Sequence, residues 1–197
     1  TRSEWEDVIG VMTHQREHFD AQDTDCPITW ISWKDAQEFC RRLSSQSDRD
    51  YRLPSEAEWE YSCRAGSATA YCFGDSYSNL GEYALYDEEG PPELRWRPLG
   101  TPRAQGEPEE VGLRKANAWG IHGMHGNVCE FCQDLNSSLH EPAIPVVPAE
   151  PPPRDRGVVR GGSWMGNAVG CRSARRNSVN KSGRGNAIGF RIVCEVR

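Results

Sequence analysis

The sequence predicts an α+β domain with small sheets, two or three helices and much irregular loop. Three observations carry this reading. Helix-start signals sit in the first third of the chain, the clearest strand patterns come in the last forty residues, and prolines crowd two long stretches between them. At 197 residues the chain is one domain's worth, since roughly 150 residues per domain is the usual scale. A mean hydropathy of −0.74 limits it to a modest core with long loops. No run of ~18 apolar residues is present, so no transmembrane segment is expected. Neither is a charged and then apolar leader, and the chain opens on Thr1, which leaves room for a targeting segment trimmed away. With 23 Lys+Arg against 29 Asp+Glu the formal charge is −6, which does not suggest a nucleic-acid partner.

In chain order, Ser3 with Glu6 reads as a capping box ahead of Trp5, Val8, Ile9 and Met12 at helical spacing. Ser32 opens a clearer helix. There Ala36, Phe39, Cys40 and Leu43 share one face, with Lys34, Asp35, Glu38, Arg41 and Arg42 on the other. Pro54-Ser55 with Glu58 starts a third, before Trp59 and Cys63. The tryptophans near these ends (Trp5, Trp30, Trp33, Trp59, Trp119, Trp164) are expected to anchor the core. Five prolines in residues 91–108 and six in 142–153 mark extended surface excursions within one fold. Late in the chain Val158-Val159 enters a strand, and Gly161-Gly162 marks a bulge or a close backbone approach. Residues 188–194 read as one closing strand with Phe190, Ile192 and Cys194 on one face.

Eight cysteines in a chain this long are not a dense disulfide framework, and their apolar neighbours favour buried free thiols. Cys129 and Cys132 have metal-like spacing but no second pair. The strand-like pattern around them turns the two thiols to opposite faces, so zinc is not expected. His122 and His125 are read as surface or loop residues. Between Trp164 and Ile188 there is no aromatic residue. The stretch is Gly, Asn, Ser and Arg pinned at both ends by strands, as a scaffold presents a binding surface.

Three long motifs carry a resemblance. Arg52-Leu53-Pro54-Ser55-Glu56-Ala57-Glu58-Trp59-Glu60-Tyr61 resembles the RLPTEAEWEYA segment of formylglycine-generating enzymes and sulfatase-modifying factors. Asn117 to Glu130 is similar to their NAFGLYDMHGNVWEW segment. Arg160-Gly161-Gly162-Ser163-Trp164 and Gly189-Phe190-Arg191 are similar to the family's RGGSW and GFR ends. The resemblance implies a C-type-lectin-like, formylglycine-generating-enzyme-type α+β domain over the whole chain, 1–197, with small antiparallel sheets.

It also implies two metal positions. The cysteines that hold Cu(I) in the family's GGSYxCxxxxC pattern fall here on Gly166 and Cys171; a linear pair of soft thiolates suits Cu(I), and glycine supplies none. A copper-dependent oxidase acting on a peptide cysteine is therefore the alternative rather than the leading reading, and no catalytic residue is assigned. The family's calcium ligands fall on Gly123, Gly126, Val128 and Glu130. Gly123 replaces an Asn or Asp, which weakens a calcium site, and pairing of Glu130 with a nearby arginine is the competing expectation. No cofactor is expected.

Within the family the chain is most similar to the variable proteins of diversity-generating retroelements, which display a C-terminal region diversified at template Asn codons. Here that region is about 161–191. The candidate variable, ligand-binding residues are Gly166, Asn167, Val169, Gly170, Arg175, Asn177, Ser178, Val179, Asn180, Gly183, Gly185, Asn186 and Ala187, all encodable by NNY codons. Met165 and Lys181 are not and are excluded, and Ala168, Cys171, Arg172, Ser173, Ala174, Arg176 and Arg184 read as fixed. The expectation is a non-enzymatic, monomeric display protein, exported and lipid-anchored at the cell surface. Its ligand is an unidentified protein or other surface molecule. From Val158 onward eight basic residues face one acid, +7, which leaves −6 − 7 = −13 for the first 157. A cationic display surface that prefers acidic ligands is the corresponding expectation.

Overall fold

The computed structural model describes residues 1–11, 24–88, 107–135 and 155–195. Met12 and most of both proline-rich stretches lie outside them. Helix α1 (Arg2–Val8) begins two residues earlier than its sequence signal. Thr1, not Ser3, is the cap: its hydroxyl accepts from the Glu4 N–H, and the Glu4 carboxylate reaches back. The reason is tertiary, because the Arg2 and Ser3 N–H groups donate to the carbonyls of Cys26 and Thr24 at 3.0 and 3.1 Å. Helix α2 (Trp33–Ser45) starts at the Ser32–Asp35 box as read. Ala36, Phe39 and Cys40 are buried, with Leu43 half-buried beside them. Helix α3 (Glu56–Arg64) starts at the Ser55–Glu58 box, and Glu58 also takes a bidentate Arg52 at 2.6 and 2.7 Å.

Strand β1 (Asp50–Arg52) pairs antiparallel with β6 (Val193–Glu195). The second sheet runs β4 (Asn177–Asn180), β3 (Arg156–Arg160), β2 (Cys129–Leu135), β5 (Ile188–Phe190). Its first two pairings are antiparallel as expected, but β2 and β5 pair in parallel. Residues 188–194 are thus two short strands in different sheets rather than one. The break at Arg191 frees that side chain for the interactions described below. The stretch expected to be all loop contains β4, which takes its hydrogen bonds from β3.

Alternation on the central strands divides the core. Cys129, Phe131 and Val159 face a cluster with Trp5, Phe39 and Ile188, whereas Cys132 and Val158 face Trp59, Cys63 and Met124. Cys129 and Cys132 therefore point to opposite faces, as the strand pattern implied. Trp5 stacks on Phe39 at 5.6 Å, and Phe190 meets both rings edge-on at 6.1 and 5.2 Å, which locks α1, α2 and β5 together. All eight cysteines are unbridged. Trp119 departs from the core-anchor expectation: it is 46% exposed and packs edge-on against exposed Tyr61 at 4.8 Å.

Candidate functional site

The 166–187 stretch is held at three places. Gly161 and Gly162 have φ of +94° and +76°, and a Cβ on Gly162 would lie 2.8 Å from the Cys171 Sγ. Only glycine fits that turn, so the chain leaves the sheet over a buried sulfur. Asn167 caps a 3-10 turn, Ala168–Cys171. The Trp164 Nε1 donates to the Asn186 carbonyl at 3.3 Å, tying the two ends of the stretch together.

Gly166, Asn167, Val169, Gly170 and Arg175 are half-exposed in the first half of the stretch, and Asn177, Ser178 and Asn180 lie on β4. Asn180 is exposed, and its Oδ1 accepts from the Ser182 N–H and hydroxyl at 2.9 and 2.7 Å. Gly183 and Asn186 are half-exposed, although a Cβ on Gly183 would stand 3.0 Å from the Asn180 carbonyl oxygen. Three candidates lie inside. Val179 is buried in the main core cluster because strand alternation turns it inward between Ser178 and Asn180. Buried Gly185 accepts from the Trp30 N–H, and fully buried Ala187 accepts from the Cys129 N–H. Val179 and Ala187 cannot vary without touching core packing, and Gly185 is buried as well; the other ten reach the surface.

The C-terminal positive charge is mostly spent inside the molecule. Arg160, 1% exposed, binds Glu56 and Glu60 at 3.0 and 2.5 Å. Arg176 binds Glu56, Arg184 binds Asp35, and Arg191 binds Glu130, at 2.5, 2.7 and 2.5 Å. Lys181 lies 3.7 Å from Asp155 and over the Trp33 ring. The expected cationic display surface is therefore cut back: five of the eight basic residues face acids of the first 157.

Neither metal position fits its ion. Gly166 has no thiol. Cys171 is fully buried against Tyr71, Leu80 and Ala84, and burial pushes its thiol well above the usual range, whereas a copper ligand must be a thiolate. Burial likewise pushes Cys63 and Cys129 up to about 12, so these thiols are not poised as nucleophiles. At the calcium position both oxygens of buried Glu130 are engaged. Arg191 binds them with Nε and Nη2 at 2.5 and 2.7 Å, and the Trp59 Nε1 donates at 2.6 Å. The same Arg191 Nη2 donates to the carbonyls of His122 and Gly123 at 3.2 and 3.1 Å. A guanidinium thus gathers carboxylate and carbonyl oxygens as a cation would, and Gly123 has no side-chain oxygen to add.

His125 corrects a further expectation. It is 2% exposed, not a surface residue. Its Nε2 accepts the Cys72 N–H at 3.2 Å, so its Nδ1 carries the proton and donates to the Cys171 carbonyl at 2.8 Å. The ring is a neutral core bridge, and burial holds its pKa below the usual value. His122 is exposed, with Nδ1 on the Arg114 carbonyl at 2.7 Å.

The model of the sulfatase-modifying factor enzyme 1-like domain matches residues 1–196. The chain belongs to that family. It is 31% identical over 174 residues to the formylglycine-generating enzyme of Streptomyces coelicolor, covering 85% of this chain and 52% of that one. With the Bos taurus formylglycine-generating enzyme it shares 28% over 175 residues, 87% of this chain and 44% of that one. The chain therefore spans about half the length of these curated relatives. Treponema denticola variable protein 1 superposes with a TM-score of 0.73 over 98% of this chain and 81% of that one, at 22% identity. That likeness shows a shared C-type-lectin-like fold. No helix among the described residues is long and apolar enough to cross a membrane.

Proposed function

We propose that this family member is a non-enzymatic ligand-binding domain whose receptor surface is the outward part of residues 166–187, varied by a retroelement on a fixed scaffold. The observation that carries the reading is the state of the copper position: Gly166 has no thiol, and the remaining Cys171 is sealed beneath Gly162. The scaffold supports it further. Ten of the thirteen candidate positions reach the surface, on a stretch anchored by Gly161-Gly162, the Trp164–Asn186 bond and β4. No role is assigned to calcium; the bidentate Arg191 on Glu130 supports that. Export and surface display belong to the same proposal; protease treatment of intact cells tests them.

Oxygen uptake with Cu(I) and a cysteine-containing peptide decides the chemistry. No turnover above the metal-only rate is expected, and robust turnover overturns the display reading in favour of the oxidase suggested by the enzymes among its relatives. Sequencing around the gene decides the variation. A near-copy of the codons for 161–191 beside a reverse transcriptase is expected, and a locus without one removes the retroelement from the proposal.

A further inference from the structure

A cavity of about 680 Å³ shares no lining residue with 166–187. Its inner wall is the aromatic lock, Trp5, Phe39 and Phe190, continued by Val8, Ile28 and Leu43. At its mouth Val111, Leu113 and Ile192 are 51%, 64% and 37% exposed, three of the few large aliphatic side chains that the described residues leave in water. Such a volume, walled by aromatics and rimmed by a few polar groups, is the usual form of a small-molecule site.

The charges around it select the ligand. Both arginines on the lining are already committed: Arg114 binds Glu109 at 2.7 and 2.8 Å, and Arg191 binds Glu130. Asp7 and Glu110 are also on the lining, exposed, and have no cation partner among the described residues. The rim therefore carries uncompensated negative charge over an apolar interior. We infer that this cavity binds an apolar cation, a hydrophobic body carrying one positive head, with the body against Trp5, Phe39 and Leu43 and the head at the acidic rim to which Asp7 and Glu110 belong. The site is independent of the display surface, so either proposal can fail without the other.

Calorimetric titration of the whole chain with octylammonium, octanol and octanoate tests it, since the three share a tail and differ in charge. Octylammonium is expected to saturate at one per chain and to bind at least tenfold more tightly than octanoate, with octanol between them. Raising the salt should narrow that gap. The double variant Asp7→Asn/Glu110→Gln should bring octylammonium to the affinity of octanol. Leu113→Asn, on an exposed loop where folding is not at stake, should weaken all three. Octanoate binding as tightly as octylammonium, uptake that never saturates, or a double variant that keeps the preference for the cation overturns the inference.

Discussion

Arg191 binds both oxygens of the Glu130 carboxylate, and this gives the clearest test at the level of single residues. The Glu130 carboxylate is 6% exposed, with Arg191 and Trp59 as its partners. Arg191→Met leaves a buried charge with one neutral donor, and the loss expected in urea denaturation is about 3 kcal/mol. Adding calcium or a chelator to the unaltered protein should leave the midpoint where it is; a calcium-dependent rise would restore the family's metal to this chain. His125 supplies a pH test. Its pKa is lowered by burial, so as pH falls through about 6.5 the unfolded chain takes up a proton that the native state refuses. The stability owed to the neutral ring is complete above that pH. It declines below it at up to about 1.4 kcal/mol per pH unit until the native pKa is reached. Glu38 and Glu58, both pulled to about 2 by arginine partners, lose their contributions only below their ordinary value of 4.5, in a separate window. His125→Gln should be less stable at pH 7.5 yet lose less between pH 7.5 and 5.5, and an equal loss would remove His125 as the titrating group. An arginine partner for Glu130 was legible in the sequence as one of two readings, but which arginine was not, since that depends on the break between β5 and β6. The burial of His125 was not legible at all. A histidine between Met124 and Gly126 in a glycine-rich run reads as loop, and what encloses it is the distant pair Cys72 and Cys171.

The elements that were legible are those whose signals are local. The Ser32–Asp35 and Ser55–Glu58 boxes mark helix starts by chemistry within four residues, and the apolar face of α2 was read residue for residue. The start of α1 shifted because its first N–H groups are claimed by residues 24–26, a contact with no local trace. Strand β4 was missed for a related reason. Asn177-Ser178-Val179-Asn180 offers a single apolar residue, and β3 alone decides that it is extended. That strand now yields a test of the display reading. Val179→Asn places an amide in the core cluster and should cost about 2–3 kcal/mol, while exposed Asn180 should accept Val, Tyr or Asp for about 1 kcal/mol or less, the bonds from Ser182 included. Thermal denaturation of the four variants reads the pattern directly. If Asn180 proves as intolerant as Val179, this strand is scaffold on both faces and the receptor surface shrinks to its flanking segments.

Across the whole molecule, the opposed charges of the two parts of the chain turn out to hold it together. Arg160 joins β3 to α3 through Glu56 and Glu60, Arg176 reaches the same Glu56, and Arg184 reaches Asp35 at the start of α2. These bonds are unequal. Arg176 and Arg184 keep 35% and 37% of their side-chain surface in water, where an ion pair contributes about 0–1 kcal/mol. Arg160 is buried, lies against the Trp59 ring and also donates to the Ser173 carbonyl, so removing it strands that acceptor and leaves Glu56 and Glu60 only their more exposed partners, Arg176 and Arg64. Arg160→Met should therefore cost about 3 kcal/mol or more, and Arg184→Met less than about 1 kcal/mol. High salt should erase most of the smaller loss and little of the larger, because screening acts on solvated pairs. The same pairing limits what the proposed display surface would offer a ligand. With five basic residues engaged by the body, association at 166–187 should weaken only modestly between low and high salt. A steep salt dependence at the display surface would mean that ligand binding pulls Arg176 or Arg184 away from Glu56 or Asp35. In that case Glu56→Gln should strengthen binding of an acidic ligand while destabilising the fold.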